Sequence, residues 1–168
     1  IIPSIFIAAY QFSDLFKERV DLALTTSHPN PSIVNTSMGI RLNFAKNSFE
    51  VIKQNPIIGI GTGDFPSEYK KINQINTPQL PNTTNPHNMY TLITMQLGLI
   101  GLVSMLSIFY YQIKLSFYAS DKLSKDLGIT LPLVFLVIMW SDSYLLGHYT
   151  TLVFVFFSSF LYKDFEKS

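Results

Sequence analysis

Two long apolar runs and the polar segments around them divide the chain. Residues 91–113 are mostly apolar, and these roughly 23 residues suffice to cross a ~30 Å hydrocarbon core at ~1.5 Å per residue. Residues 129–162 form a second run, which serine, aspartate, glycine and histidine interrupt at 141–148. One helix over 129–162 would be too long for a single crossing, so the pattern predicts two short membrane helices joined by a tight polar turn.

A shorter helix is predicted within the polar part, over residues 37–54. Apolar side chains recur there at steps of three and four and mark an apolar stripe: Met38, Leu42, Ala45, Phe49 and Ile52. The helix should end at Asn55-Pro56, because the residue before a proline is disfavoured in helical conformation. Arg41 lies inside the apolar arc. A guanidinium is costly to desolvate, so this position predicts either an anionic partner or a stem that carries the charge to the interface.

Together these elements predict an all-α integral membrane protein with about three transmembrane helices. Residues 1–10 are predicted to end a membrane helix, 11–90 to form an extracytoplasmic loop region, 114–128 a cytoplasmic connection and 163–168 a cytoplasmic tail. Lysines in the two short cytoplasmic segments set this orientation. Because the chain opens with Ile1-Ile2-Pro3 and its first apolar run is too short to span, we expect the C-terminal portion of a larger polytopic bundle.

Composition agrees with a membrane protein and excludes several functions. The chain is 48% hydrophobic and 14% charged, against the roughly 25% charged residues of soluble domains. Its formal net charge of +1 gives no indication of nucleic-acid binding. The absence of cysteine excludes disulfides, thiolate catalysis and cysteine-ligated metal sites.

The candidate chemistry centres on His87, where a polar loop meets the first apolar run. A titratable imidazole at the mouth of a bilayer helix can transfer protons on a substrate whose other half is lipid. A capping or interfacial histidine is the alternative. Asp142 and His148 would lie on the same outer side of the membrane, and we interpret them as part of a solvated turn.

Glycines mark two further positions. Gly59, Gly61 and Gly63 alternate after the predicted helix, but their spacing matches neither a dinucleotide-binding loop nor a P-loop. Alone they indicate a tight turn that brings the backbone close to a neighbour. Gly98 and Gly101, inside the first apolar run, allow a close helix contact or a bend.

The chain resembles the O-antigen ligase and Wzy-type polymerase family of bacterial membrane glycan transferases. Three features carry the resemblance, which covers most of residues 37–113: Arg41 on the helix before the loop, the glycine-rich stretch 55–65, and Pro86-His87-Asn88-x-Tyr90 leading into a glycine-containing helix. One departure is Gln96-Leu97-Gly98, where many relatives have Glu-x-Gly.

The resemblance implies transfer of a glycan from undecaprenyl pyrophosphate to an acceptor hydroxyl, at the periplasmic face of the bacterial inner membrane, by a multi-pass enzyme. The acceptor is lipid A-core in a ligase and another lipid-linked repeat unit in a polymerase. A protein O-oligosaccharyltransferase differs only in its acceptor. A transporter fragment without enzymatic activity is an alternative of another class.

The resemblance also assigns roles to particular residues. His87 would accept the proton of the acceptor hydroxyl, and Arg41 would pair with the pyrophosphate as charge develops on the leaving group. Arg41, Asn88, Tyr90, Gly61 and Gly63 would bind substrate. This account needs no metal and no other cofactor, since the chain offers no Cys/His/carboxylate cluster.

Overall fold

The computed structural model describes residues 37–162 without a gap, apart from the side chain of Met38, and also residues 10, 11, 13, 14, 17 and 21. The chain divides into two compact units, Ile1–Asn43 and Phe44–Ser168. Residues 37–162 form five helices and no strand: α1 (Ser37–Gln54), α2 (Phe65–Asn76), α3 (Met89–Ser116), α4 (Lys122–Ile138) and α5 (His148–Leu161). The all-α prediction is therefore confirmed for this part of the chain. The predicted helix end at 1–10, except Tyr10, and the predicted tail at 163–168 lie outside it.

Helix α1 buries a face other than its apolar stripe. Leu42 and Phe49 of that stripe are 45% and 56% exposed. The buried side chains in the part of α1 that belongs to the second unit are Phe44, Asn47, Ser48 and Val51. The apolar stripe is therefore not the buried face of α1, and the hydrogen bonds of Asn47 give the physical reason.

Asn47 belongs to a buried network of amides and a hydroxyl that joins α1 to α2. Its Nδ2 donates to Thr77 Oγ1 at 2.8 Å and lies 3.3 Å from Asn73 Oδ1. Asn73 Nδ2 in turn donates to the carbonyl of Leu80 and to Asn82 Oδ1, both at 3.0 Å. Paired amides tolerate burial, whereas unpaired ones do not, so these hydrogen bonds decide which face of α1 is covered.

Helix α3 is broken inside the first apolar run. Gly98 has φ 64° and ψ −163°, outside the helical region, and so leaves backbone groups on both sides without helical partners. The segment Pro56–Gly61 supplies those partners: Ile60 and Gly61 donate to the carbonyls of Met95 and Gln96 at 3.0 and 2.9 Å, and Leu99 and Ile100 donate to the carbonyls of Pro56 and Ile57 at 2.9 and 3.2 Å.

This contact requires glycine at both of its centres. A Cβ on Gly98 would lie 2.1 Å from the carbonyl oxygen of Ile57, and one on Gly59 would lie 2.4 Å from that of Gln96. The bend expected at Gly98 and the close backbone approach expected of the alternate glycines are therefore two sides of one contact.

Helices α3, α4 and α5 pack together in the second half of the chain. Phe154 of α5 lies between Phe109 of α3 and Phe135 of α4, with ring centroids 5.5 and 4.7 Å away. Tyr162 OH donates to the Gly128 carbonyl at 2.6 Å and ties the end of α5 to α4. Among the described residues, α3 is the one helix both long and apolar enough to cross a membrane, and α5 is a shorter apolar helix.

The connection between α3 and α4 is shorter than predicted. Helix α3 continues to Ser116, and α4 already begins at Lys122, because Asp121 caps it by accepting the amide proton of Ser124 at 2.8 Å. Lys122, Lys125 and Asp126 of the predicted connection 114–128 are therefore helical. The second apolar run breaks at residues 139–147, between α4 and α5.

Candidate active site

His87 lies two residues before α3, in a backbone conformation that is uncommon for residues other than glycine. Its φ is 52°, in the left-handed region. The amide of His87 donates to Asn85 Oδ1 at 2.9 Å, which closes a turn around Pro86. Asn88 then caps α3 by accepting the Thr91 amide proton at 2.9 Å. The local sequence thus turns the chain sharply and fixes the histidine at the start of the long apolar helix.

The imidazole of His87 faces the carboxylate of Asp142, which follows α4 in the turn 139–147. Nδ1 lies 3.2 and 3.3 Å from the two carboxylate oxygens, and both side chains are about one-third exposed, at 35% and 34%. An Nδ1–H that donates to a carboxylate leaves the lone pair of the neutral ring on Nε2. Nε2 has no hydrogen-bond partner among the residues that the structure describes.

Two further side chains hold the carboxylate and the turn in place. Ser143 Oγ donates to Asn85 Oδ1 at 2.7 Å, and the Ser143 amide donates to Asp142 Oδ1 at 2.7 Å. Asn85 Nδ2 lies 3.4 Å from the same carboxylate oxygen. Asn85 therefore contacts the backbone of His87, the hydroxyl of Ser143 and the carboxylate of Asp142, so the residues before α3 and after α4 form one polar cluster.

One face of the imidazole lies against helix α1. The rings of Phe44 and His87 are stacked, with centroids 6.1 Å apart and an interplanar angle of 20°. Phe44 is itself buried at 5% exposure and meets Tyr69 of α2 edge-on at 5.8 Å. The histidine is thus oriented by an aromatic face from α1 and a carboxylate from the turn after α4.

The comparison with known proteins identifies the family. The model of the family described as O-antigen ligase matches residues 1–106, more than half of the 168-residue chain. The chain belongs to the O-antigen ligase family. The resemblance to this family is thereby confirmed. At a general level, membership supports a membrane enzyme of ligase or polymerase type that acts on lipid-linked glycans in lipopolysaccharide biosynthesis. No curated protein matches the chain.

Four other residues are predicted to bind substrate from the O-antigen ligase resemblance, and the structure places them in different surroundings. Asn88, besides capping α3, donates from Nδ2 to the carbonyl of Trp140 at 2.9 Å, and Tyr90 OH donates to the Leu136 carbonyl. The Gly61 amide is bonded to Gln96, whereas a Cβ on Gly63 would meet nothing within 4 Å. The polar groups of Asn88 and Tyr90 thus join α3 to α4 and its following turn, and the substrate-binding roles of these four residues stay predictions.

Arg41, the remaining predicted site residue, lies in the first of the two compact units, whereas His87 lies in the second. Arg41 is on α1 in Ile1–Asn43, and its side chain is exposed. Its proposed pairing with pyrophosphate stays a prediction.

Sequence reasoning missed the contribution of Asp142 and Asn85 to the site. Asp142 was interpreted as part of a solvated turn, yet it is half-buried and paired with His87, 55 positions away. It also lies beyond residues 1–106, to which the O-antigen ligase family match is confined. The one available signal was topological, since the membrane crossings predicted for α3 and α4 return the turn after α4 to the side of His87.

Proposed function

We propose that this chain carries the catalytic base of a membrane glycan ligase. The reaction moves a glycan from undecaprenyl pyrophosphate to a hydroxyl of lipid A-core at the periplasmic face of the bacterial inner membrane. The pairing of His87 Nδ1 with Asp142 is the observation that carries the proposal. It leaves Nε2 as the basic atom and holds the ring in one orientation, which a base for hydroxyl groups requires.

In the transfer step one bond to the anomeric carbon forms while another breaks, and His87 takes the proton that is released. The acceptor hydroxyl gives its proton to His87 Nε2 as its oxygen bonds to the anomeric carbon of the donor glycan. The bond between that carbon and the pyrophosphate oxygen breaks, and undecaprenyl pyrophosphate leaves with the electron pair. Asp142 stays ionised and stabilises the imidazolium that forms, as a carboxylate on Nδ1 does in other histidine bases. The proton later passes from His87 to solvent.

The backbone conformation of His87 supports a functional role. A left-handed non-glycine residue costs of the order of 1 kcal/mol or more and persists where surrounding contacts over-determine it. Those contacts are the hydrogen bond to Asn85, the carboxylate of Asp142 and the ring of Phe44. These contacts hold the imidazole in one orientation, as preorganised catalysis requires.

The location of His87 suits a lipid-linked substrate. The apolar helix α3 starts two residues later and exposes large aliphatic side chains, among them Ile100 at 58% and Val103 at 65%. Such exposure is expected of a lipid-facing surface. With α3 across the membrane, His87 would lie at its surface, level with the pyrophosphate of a polyprenyl donor. Arg41 is proposed to pair with that pyrophosphate through its bidentate fork.

The test is transfer of glycan by the membrane-embedded protein with single substitutions. His87→Ala should lower turnover by roughly 10²–10⁴ while leaving donor affinity nearly unchanged, because it removes proton transfer and not binding. Asp142→Asn should also lower turnover strongly. The amide can donate to Nδ1, which stabilises the tautomer that carries its proton on Nε2.

Asp126→Asn is the matched control, because this carboxylate forms an exposed pair with Lys122 at the other end of α4. Full specific activity in His87→Ala, measured per folded molecule, would remove the catalytic assignment. The glycan phenotype of cells lacking the protein identifies the reaction. Unligated O-antigen that stays lipid-linked supports the ligase, whereas single-unit chains indicate a polymerase and missing protein glycans an O-oligosaccharyltransferase. Normal glycan would contradict a transferase.

A further inference from the structure

A cavity of about 380 Å³ opens beside the His87–Asp142 pair. The residues that line it include Asn85, Asp142, Ser143, Tyr144, His148 and Tyr149. Asp142, whose carboxylate contacts His87, therefore also borders a space large enough for about one sugar ring. None of the assigned roles uses this space.

The turn that borders the cavity is held by its own hydrogen bonds. Tyr144 and Leu146 donate their amide protons to the carbonyls of Asp142 and Ser143 at 3.0 and 2.9 Å. Thr150 Oγ1 donates to the Tyr144 carbonyl, and Thr151 Oγ1 donates to the Leu145 carbonyl at 2.9 Å. The wall is thus pre-formed, as binding sites for small ligands generally are.

The chemistry of the wall fits a neutral carbohydrate. The Tyr149 side chain is 86% exposed and offers an aromatic face, against which the C–H bonds of a pyranose can stack. The carboxylate of Asp142 and the amide of Asn85 are hydrogen-bonding partners for hydroxyl groups. The described residues around the cavity include no lysine or arginine, the permanently charged side chains that commonly pair with pyrophosphate, and they include the carboxylate residue Asp142.

We infer that this cavity binds a sugar unit of the acceptor glycan, next to the sugar whose hydroxyl faces His87. The inference rests on the proposed transferase function and adds the place from which the acceptor reaches the base. Tyr149 is its main contact, and Asn85 and Asp142 orient its hydroxyl groups. The pyrophosphate of the donor lies elsewhere.

The test measures transfer at saturating donor while lipid A-core is varied. Tyr149→Ala should raise the KM for lipid A-core roughly 3- to 10-fold, the worth of one aromatic contact, and leave the donor KM unchanged. Tyr149→Phe should behave like the wild type, because the stacking face remains. Tyr118→Ala is the matched control, since Tyr118 is 71% exposed and lies after α3, away from the cavity.

Binding of delipidated core oligosaccharide, followed by saturation-transfer NMR, gives a readout without turnover. Wild-type protein should saturate the sugar protons, and Tyr149→Ala should weaken this effect while its melting temperature stays at the wild-type value. Unchanged acceptor KM and unchanged oligosaccharide binding in Tyr149→Ala would overturn the inference, as would a rise in the donor KM alone. A wild-type protein that binds the oligosaccharide through Tyr149 but transfers no glycan would refute the proposed function and leave the cavity assignment supported.

Discussion

Replacing Gly98 by alanine should separate the two halves of the contact between the Pro56–Gly61 segment and helix α3. The new Cβ would lie 2.1 Å from the carbonyl oxygen of Ile57, and φ 64° is unfavourable for alanine. Alanine also favours a continuous helix, which would remove the break and expel the segment. The four backbone hydrogen bonds that join the two would then be lost or replaced.

The structure gives the magnitude. Four net hydrogen bonds at about 0.5–1.5 kcal/mol each amount to roughly 2–6 kcal/mol, before the clash is counted. Part of this is recovered if Leu99 and Ile100 find helical partners, so we expect a loss of about 3 kcal/mol. At about 2–4 °C per kcal/mol for a chain of this size, the melting temperature should fall by roughly 6–12 °C.

Gly63→Ala is the matched control, because Gly63 also has positive φ, at 91°, but its Cβ would meet nothing within 4 Å. It should cost only the backbone strain, about 1–2 kcal/mol. Melting of the purified protein in detergent, together with hydrogen exchange at the amides of Leu99 and Ile100, provides the measurement. A Gly98→Ala protein that melts no lower than Gly63→Ala and keeps slow exchange at these amides would refute the reasoning.

Three further predictions concern α1 and α2. Asn47→Ala should destabilise by roughly 1–3 kcal/mol, because it leaves Thr77 and Asn73 with fewer partners in a buried site; thermal melting against exposed Gln74→Ala checks this. Burial raises the pKa of the Tyr69 hydroxyl above 10.0, so the stability that the neutral hydroxyl contributes is complete below pH ~10 and is lost as the pH rises through the folded-state pKa. Above pH ~10 the melting temperature of Tyr69→Phe should therefore fall less steeply with pH than that of the wild type. Equal slopes for the two proteins would contradict this. Arg41→Lys should weaken donor binding as well as turnover, since lysine lacks the bidentate fork, and undiminished donor affinity in a binding assay would remove the pyrophosphate role.

The sequence predicts those parts of the structure that depend on local chain properties. Proline after Asn55 ends α1, and the apolar run 91–113 becomes the central part of α3 because its composition favours an apolar helix. The buried face of α1 could not be predicted, because Asn47 is paired with the amide of Asn73 in α2 and the hydroxyl of Thr77 after it, and a hydropathy pattern counts it as polar. The break at Gly98 was one of two outcomes the glycine allowed, and the partner segment that decided it lies about 40 positions earlier.

In the candidate active site, too, neighbouring residues determine some features and contacts between distant residues determine others. His87 could be singled out from its place between a polar loop and an apolar helix, since that signal lies within a few residues. Its pairing with Asp142 could not, because it depends on how α3 and α4 pack and on where α4 ends. Met89 donates its amide proton to the Met139 carbonyl at 2.9 Å, which fixes the start of α3 beside the end of α4 and brings the two side chains together.

The glycine-rich segment Pro56–Gly61 and His87 both adjoin the first half of α3, although they lie more than 20 residues apart in sequence. The segment binds the backbone at the break of α3, and it directly follows α1, whose Phe44 stacks on the imidazole. The half of α3 between Met89 and Gln96 is thus held at one end by the glycine contact and at the other by the cap at Asn88. We therefore expect a change at Gly59 or Gly98 to shift Phe44 relative to α3 and to displace its ring from the imidazole. Loss of the glycine contact should therefore lower turnover through the orientation of His87, even in molecules that remain folded.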